Sequence, residues 1–160
     1  KSPENQGDLN DWAEQNSLVQ FISSISQVGP VAFFKQSIAD AVAGDYDKVE
    51  INNEIDKAIE NNSVVIFSWT TCPFCKKAKQ FLIEDIGATV KVVELDEDPK
   101  IGNAIRAELG KRTGRTSVPS IWVGKEYVGG CNDGPGVFPL EAQGKLRPLL
   151  NSSGAFKGTK

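Results

Sequence analysis

From Ile51 to Lys145 short β-rich segments alternate with helical ones, and that order leaves few folds open. INNEIDKAIENN (51–62) sets Ile51, Ile55, Ala58 and Ile59 at i, i+4, i+7 and i+8, the apolar stripe of an amphipathic helix. SVVIFSW (63–69) is dense in β-branched and aromatic residues and reads as a strand. CPFCKKAKQFLIED (72–85) reads as a helix whose apolar face includes Ala78, Phe81 and Leu82, and TVKVVEL (89–95) as a second strand. Pro99 suits a helix's first turn and opens one running to about Leu109, with Gly110 as its stop. VPSIWV (118–123) is a third strand. Gly124-Lys125, with glycine first, suits a type II′ hairpin turn, and EYVGG (126–130) returns as a fourth strand. A last helix spans about 136–145. The order αβαβαββα argues for an α/β sheet with an antiparallel hairpin at its edge.

The flanks read differently. Residues 1–10 are polar, carry Pro3 and Gly7, and are expected to be disordered or frayed. In 11–28, Leu18, Ile22 and Ile25 share one helical face, with Phe21 and Val28 beside them. Pro30 then opens VAFFKQSIADAVA, which runs to Gly44 as a C-terminal cap. Phe21, Ile22, Ile25, Phe33, Phe34 and Ile38 are too apolar to be left bare, so this extension is expected to pack on the domain or on a second subunit, away from the cysteines. The expected division is an extension at 1–48, helical from about 11, an α/β domain at 49–152, and a flexible tail at 153–160 after a short docking segment. The chain has no methionine and starts at Lys1, so it does not begin at its own initiator: either a targeting segment has been removed or the chain has been cut.

Composition narrows the function classes. With 39% hydrophobic and 24% charged residues the chain is able to bury a core. Its net charge of -3 gives no reason to expect nucleic acid or an anionic membrane as partner. Its densest apolar run, SVVIFSW, is too short to cross a bilayer, and no secretory signal pattern opens the chain. The absence of histidine excludes Ser-His-Asp and Cys-His nucleophilic machinery. Three cysteines, Cys72, Cys75 and Cys131, are too few for a secreted disulfide framework, and they are one ligand short of a structural zinc site. The sequons at Asn61 and Asn151 are short, frequent motifs, not expected to be used in a reduced-thiol protein.

That leaves the pair in TCPFC (71–75). A thiol attacks a disulfide only as thiolate, which helix N-termini and nearby cations favour. Cys72 stands where the first strand gives way to the helix. Pro73 fits the first helical position, and Lys76, Lys77 and Lys79 follow. Cys75 lies one turn on, within reach of the same sulfur, and can resolve a mixed disulfide.

Two distant segments complete a pattern. TSVPS (116–120) precedes the third strand and VGGCND (128–133) follows the fourth. With TCPFC they resemble the glutaredoxin family: C-P-[YF]-C, then T-V-P, then G-G-C-[DS]-D, over about residues 51–150. The resemblance implies a thioredoxin-like fold, a four-stranded mixed sheet flanked by helices. It also implies a glutathione-dependent reduction of protein–glutathione mixed disulfides and small disulfides. Cys72 and Cys75 would then be catalytic. The glutathione site would be Thr71, Phe74, Arg115, Ser117, Val118, Pro119, Gly130, Cys131, Asn132 and Asp133. Pro119 is cis in this family, which turns the Val118 backbone toward the cysteinyl part of the ligand as if adding a strand. Asn132 and Asp133, at a helix start, hold the γ-glutamyl end, with Asp133 suited to its ammonium. Phe74 walls the groove in place of the usual tyrosine, and Arg115 is suited to the glycyl carboxylate. Each has a plainer alternative: an edge-strand proline, a helix-capping Asp133, a Cys131 that is a small buried apolar side chain, an Arg115 that is one more solvated cation. Two substitutions depart from the pattern: Trp69 stands where a lysine is usual, and Ser117 where threonine is.

The resemblance implies glutathione as co-substrate and no metal. The partners are glutathionylated or disulfide-containing proteins, with neither nucleic acid nor membrane, and the chain is expected to be a monomer. The setting is a reducing compartment, either cytoplasm or an organelle stroma or matrix such as the chloroplast's. Two rivals remain: a carrier of a glutathione-ligated [2Fe-2S] cluster, which a proline after the first cysteine disfavours in the family, and a thioredoxin-like dithiol reductant.

Overall fold

The structure, a computed structural model, describes residues 30–156. The expected disorder of 1–10, the helical pattern of 11–28 and the last residues of the tail, 157–160, lie outside the described residues. The elements are α1 (Pro30–Ala43), α2 (Lys48–Asn61), β1 (Val64–Ser68), α3 (Pro73–Lys79), a π-helical turn (Gln80–Asp85) continuing α3, β2 (Lys91–Glu94), α4 (Pro99–Thr113), β3 (Ser120–Val123), β4 (Glu126–Gly129), α5 (Val137–Ala142) and α6 (Leu146–Ser153).

The strands form one mixed sheet in the order β2-β1-β3-β4. β2 lies parallel to β1, while β1–β3 and β3–β4 are antiparallel. All five residues of β1 are buried, as a central strand covered on both faces requires. Val64 and Ile66 face α3, α5 and α6 through Ala78, Leu82, Val137, Leu146 and Leu150. Val65 and Phe67 face α2 and α4 through Ile51, Ile55, Ile59, Ala104, Ile105 and Leu109. The period of two along β1 thus divides the molecule into two cores.

α1 adds a layer outside α4. Ala39 and Ala43 close on Ala107, and the Gln36 side-chain amide donates to the Ala107 carbonyl (3.1 Å). Beneath α1, the buried Glu108 carboxylate accepts from the Tyr46 hydroxyl (2.6 Å), the Asn52 amide (2.8 Å) and the Lys111 ammonium (2.8 Å). The described part of the extension is therefore helical and packed on the domain, but through Ala39 and Ala43, while Ile38, expected to be covered, is 46% exposed.

Several boundaries differ from the sequence reading, each for a local reason. α2 starts at Lys48, three residues before Ile51, because the Asp47 carboxylate accepts from the Val49 and Glu50 amides and caps it. α4 runs past Gly110 to Thr113 and ends on Gly114 in the left-handed region, φ 73°. Gly124 and Lys125 both have positive φ, 56° and 73°, which makes the hairpin turn type I′ rather than II′. The last helix is shorter than expected. RPLLNSS belongs to a second, α6, which buries Leu146 and Leu150. The tail is packed rather than flexible at Ala155, which is buried and accepts from the Thr89 amide (2.8 Å).

Candidate active site

β1 ends at Ser68, and Trp69, Thr70 and Thr71 carry the chain to Cys72, the N-cap of α3. Pro73 occupies the first turn, as its fixed φ and missing N–H suit. The Cys72 side chain makes no capping hydrogen bond, so the first-turn N–H groups are left for an anion at that sulfur. Cys72 is half-buried, while Cys75 and Cys131 are buried, and all three are free thiols. The loop is held from β2's end: the Asp96 carboxylate accepts from the Thr70 amide (2.9 Å) and hydroxyl (2.6 Å). Those hydrogen bonds hold the Asp96 carboxyl below its ordinary range.

Cys75 lies against Cys72 and accepts a hydrogen bond from the Trp69 amide (3.4 Å). Burial pushes its thiol up to about 11, and the neighbouring Cys72 adds to that rise. Cys131 is likewise pushed up to about 11, by burial first and then by the charge of Asp133, and its thiol donates to the Phe74 carbonyl (3.1 Å). Burial bears out the apolar reading of Cys131. The three lysines do not act alike. Lys79 is tied to Glu94 in a mostly buried ion pair, and Lys77 lies over the Phe74 ring, 5.8 Å from its centre.

A groove of about 270 Å³, beside the α3 N-terminus, is lined by Phe74, Ser117, Val118, Pro119, Gly130, Cys131, Asn132 and Asp133. Eight of the predicted ligand residues thus come together. Val118–Pro119 is a cis peptide. Gly129 has φ 92°, and a Cβ there would lie 2.2 Å from the Asp133 carbonyl, which instead accepts from the Gly130 amide (2.8 Å). The glycine lets the loop fold back and bring Asn132 and Asp133 to the groove. These two do not start a helix as expected, since α5 begins only at Val137 behind the Gly136 cap.

Two predicted residues lie off the lining. Thr71 is exposed and its amide donates to Asp96. Arg115 is paired with Asp133 and donates to the Ser117 hydroxyl (3.3 Å), so it sits at the Asp133 end of the groove and is already committed there. At the other flank, Trp69 and Val118 share one apolar cluster. The Arg106 guanidinium lies over the Trp69 ring, 5.1 Å from its centre, and donates to the Thr116 carbonyl (2.6 Å). Arg106 and Asp96 are the residues that the sequence reading missed. Arg106 is one basic residue within a long helix, and Asp96 is one of four acids in ELDED. No motif spacing marks either.

A protein-family model described as Glutaredoxin matches residues 64–128. The chain is 42% identical over 101 residues to a glutaredoxin of Solanum lycopersicum, covering 63% of this chain and 89% of that protein. It is 39% identical over 100 residues to Glutaredoxin-C2 of Arabidopsis thaliana, covering 62% and 86%. Among solved structures, the buckwheat glutaredoxin–glutathione complex superposes with a TM-score of 0.62 at 33% identity, over 68% of this chain and 94% of that one.

Proposed function

The chain belongs to the glutaredoxin family and is a glutathione-dependent thiol–disulfide oxidoreductase; on that premise we propose that Cys72 is its nucleophile and that glutathione lies in the groove between Phe74 and Asp133. The observation that carries the assignment is the contrast among the three thiols. Cys72 is accessible at a helix N-terminus beside the groove, whereas Cys75 and Cys131 are buried and pushed up to about 11. A buried, protonated thiol is a poor nucleophile at neutral pH.

The Cys72 thiolate attacks the glutathione-side sulfur of a mixed disulfide. The new Cys72–glutathione S–S bond forms, the old S–S bond breaks, and the substrate leaves as a thiolate that takes a proton from water. A second glutathione thiolate attacks the glutathionyl sulfur, which releases glutathione disulfide and restores Cys72. Cys75 offers the branch to an intramolecular disulfide. Once Cys72 is in a neutral disulfide, its contribution to the raised Cys75 pKa is gone, but burial, the larger cause, remains. The branch is therefore the minor path on small glutathionylated substrates.

The groove takes glutathione as an added strand against Val118. The ammonium of its γ-glutamyl end meets Asp133, and its glycyl carboxylate lies toward Arg106, in the place first assigned to Arg115. The pairing of Arg115 with Asp133 and the position of Arg106 over Trp69 support that exchange. Phe74, 53% exposed next to Cys72, offers an apolar foothold for a protein partner. Glutathionylated or disulfide-containing proteins in a reducing compartment are the substrates. Family potentials of about -200 to -230 mV let a glutathione pool drive the cycle.

Mass spectrometry of Cys75→Ser after brief exposure to glutathione disulfide at pH 7 tests the assignment. One glutathionyl group on Cys72 is the expected product. An adduct on Cys131, or none, contradicts it.

A further inference from the structure

Arg115 stands out among the described residues as a nearly buried cation with an unsatisfied nitrogen. Its side chain is 10% exposed. One terminal nitrogen, Nη2, serves both Asp133 and the Ser117 hydroxyl. The other, Nη1, is buried and has no hydrogen-bond partner. The backbone beneath the guanidinium is fixed, since the Arg115 amide donates to the Thr113 hydroxyl (3.1 Å) just after α4 ends. Over it lies Gly134, where a Cβ would come within 2.3 Å of Nη1. Ser117 and Asp133 come from segments on either side of the β3–β4 hairpin, and both line the groove. One guanidinium therefore ties together two walls of the groove's far end.

We propose that Arg115 is a positioning and specificity-determining residue, which fixes Asp133 and Ser117 and cancels the Asp133 charge, so that the groove's end selects a zwitterionic amino-acid head such as the γ-glutamyl end of glutathione. The proposal rests on the reading that glutathione lies in this groove. Its physical basis is charge balance. A γ-glutamyl head carries an ammonium and a carboxylate on the same carbon. A lone Asp133 would attract the ammonium and repel the carboxylate, and it would favour any cationic head over a neutral zwitterion. With Arg115 in place the protein's own charges sum to zero, the Asp133 carboxylate is held by a directional bond, and its second oxygen stays available. Asp133 is half exposed, so without the guanidinium its side chain also regains rotamer freedom that ligand binding must then remove.

The test uses the full chain and three mixed disulfides that share one leaving thiol. Their cysteine ends are glutathione, glutathione with its γ-glutamyl α-carboxylate converted to the amide, and cysteinylglycine. The first head is zwitterionic, the second is cationic, and the third lacks the γ-glutamyl residue. Arg115→Gln is expected to lower kcat/KM on the glutathione substrate about tenfold, through KM, and to leave cysteinylglycine within about twofold. On the amide it should hold or rise, so that the preference between the first two substrates narrows or inverts. Arg115→Lys should restore part of that preference, since it returns the charge without the fork. Asp133→Asn should weaken the amide most. A fall of equal size on all three substrates for Arg115→Gln would make Arg115 a fold residue only, and no change on any would make it irrelevant to the groove; either result overturns the proposal. The underlying reading is tested separately, on the unmodified protein. If that protein handled cysteinylglycine as well as glutathione, the groove would not be reading the γ-glutamyl end at all, and both statements would fall.

Discussion

Cys72 and Cys75 are three positions apart in sequence and differ in burial. Cys75 is wholly buried and its thiol is raised to about 11; Cys72 is accessible. Native protein treated with iodoacetamide at pH 8 is therefore expected to take one label, on Cys72, with Cys75 and Cys131 reacting only after unfolding or near pH 11. Equal labelling of Cys72 and Cys75 in the folded protein would contradict the burial argument. A second residue-scale expectation concerns Arg106. If its guanidinium over Trp69 receives the glycyl carboxylate, Arg106→Gln should raise the glutathione KM by about three- to tenfold, since a charge-assisted contact at a wet groove is worth about 1 kcal/mol or somewhat more. An unchanged KM would place that carboxylate elsewhere. The cysteines, Pro119 and Asp133 were legible because their motifs are local strings of residues. The pairing of Arg115 with Asp133 and the seat of Arg106 over Trp69 were not, because a side chain's partner is set by tertiary approach, and the two arginines are nine positions apart on and just beyond one helix.

At the scale of elements, α4 carries the most that the sequence left unread. Its Glu108 is buried, yet it is ionised at neutral pH. Burial alone would raise its carboxyl, but hydrogen bonds from Lys111, Tyr46 and Asn52 outweigh it and pull it from 4.5 down to about 2. A carboxyl depressed in the folded state stabilises above its unfolded value and loses that contribution as pH falls through the folded one. Stability is thus expected to drop between about pH 4.5 and 2, and Glu108→Gln should flatten that limb in denaturant titrations at pH 6, 4 and 3. An identical acid limb in the variant would show that other carboxylates dominate. The same network anchors the extension. Removing residues 1–44 uncovers Ala107 and Gly110 on α4, and is expected to cost about 2 kcal/mol, or about 4–8 °C in Tm, while kcat/KM stays within about twofold. An unchanged Tm would mean that α1 contributes nothing. Pro30 and Gly44 marked the ends of α1, but nothing marked its seat: alanines that close on alanine leave no strong apolar stripe to read. The two misplaced helix ends err in opposite directions: α4 runs past Gly110, whereas α5 stops at Ala142, just before Gly144 in the left-handed region, φ 69°.

The whole molecule brings three separated segments to one end of its sheet. The chain leaves β1 for Cys72, enters β3 through the cis Pro119, and leaves β4 through Gly129 and Gly130 toward Asp133. The sheet with its closing hairpin was legible from the alternation of strands and helices, and the convergence of the three segments from the resemblance that TCPFC, TSVPS and VGGCND carry. What was not legible is the state of each thiol, which depends on how deeply α3 sinks onto β1. On the proposed mechanism, that depth makes Cys72 sufficient for glutathione chemistry and leaves Cys75 for dithiol substrates. The most direct test is turnover of one small glutathionylated substrate by the parent chain, Cys72→Ser and Cys75→Ser, coupled to glutathione reductase. The account predicts that Cys75→Ser keeps or exceeds the parent's rate while Cys72→Ser is inactive. A Cys75→Ser protein as inactive as Cys72→Ser would contradict it, and would make this chain a dithiol reductant in which both sulfurs are obligatory.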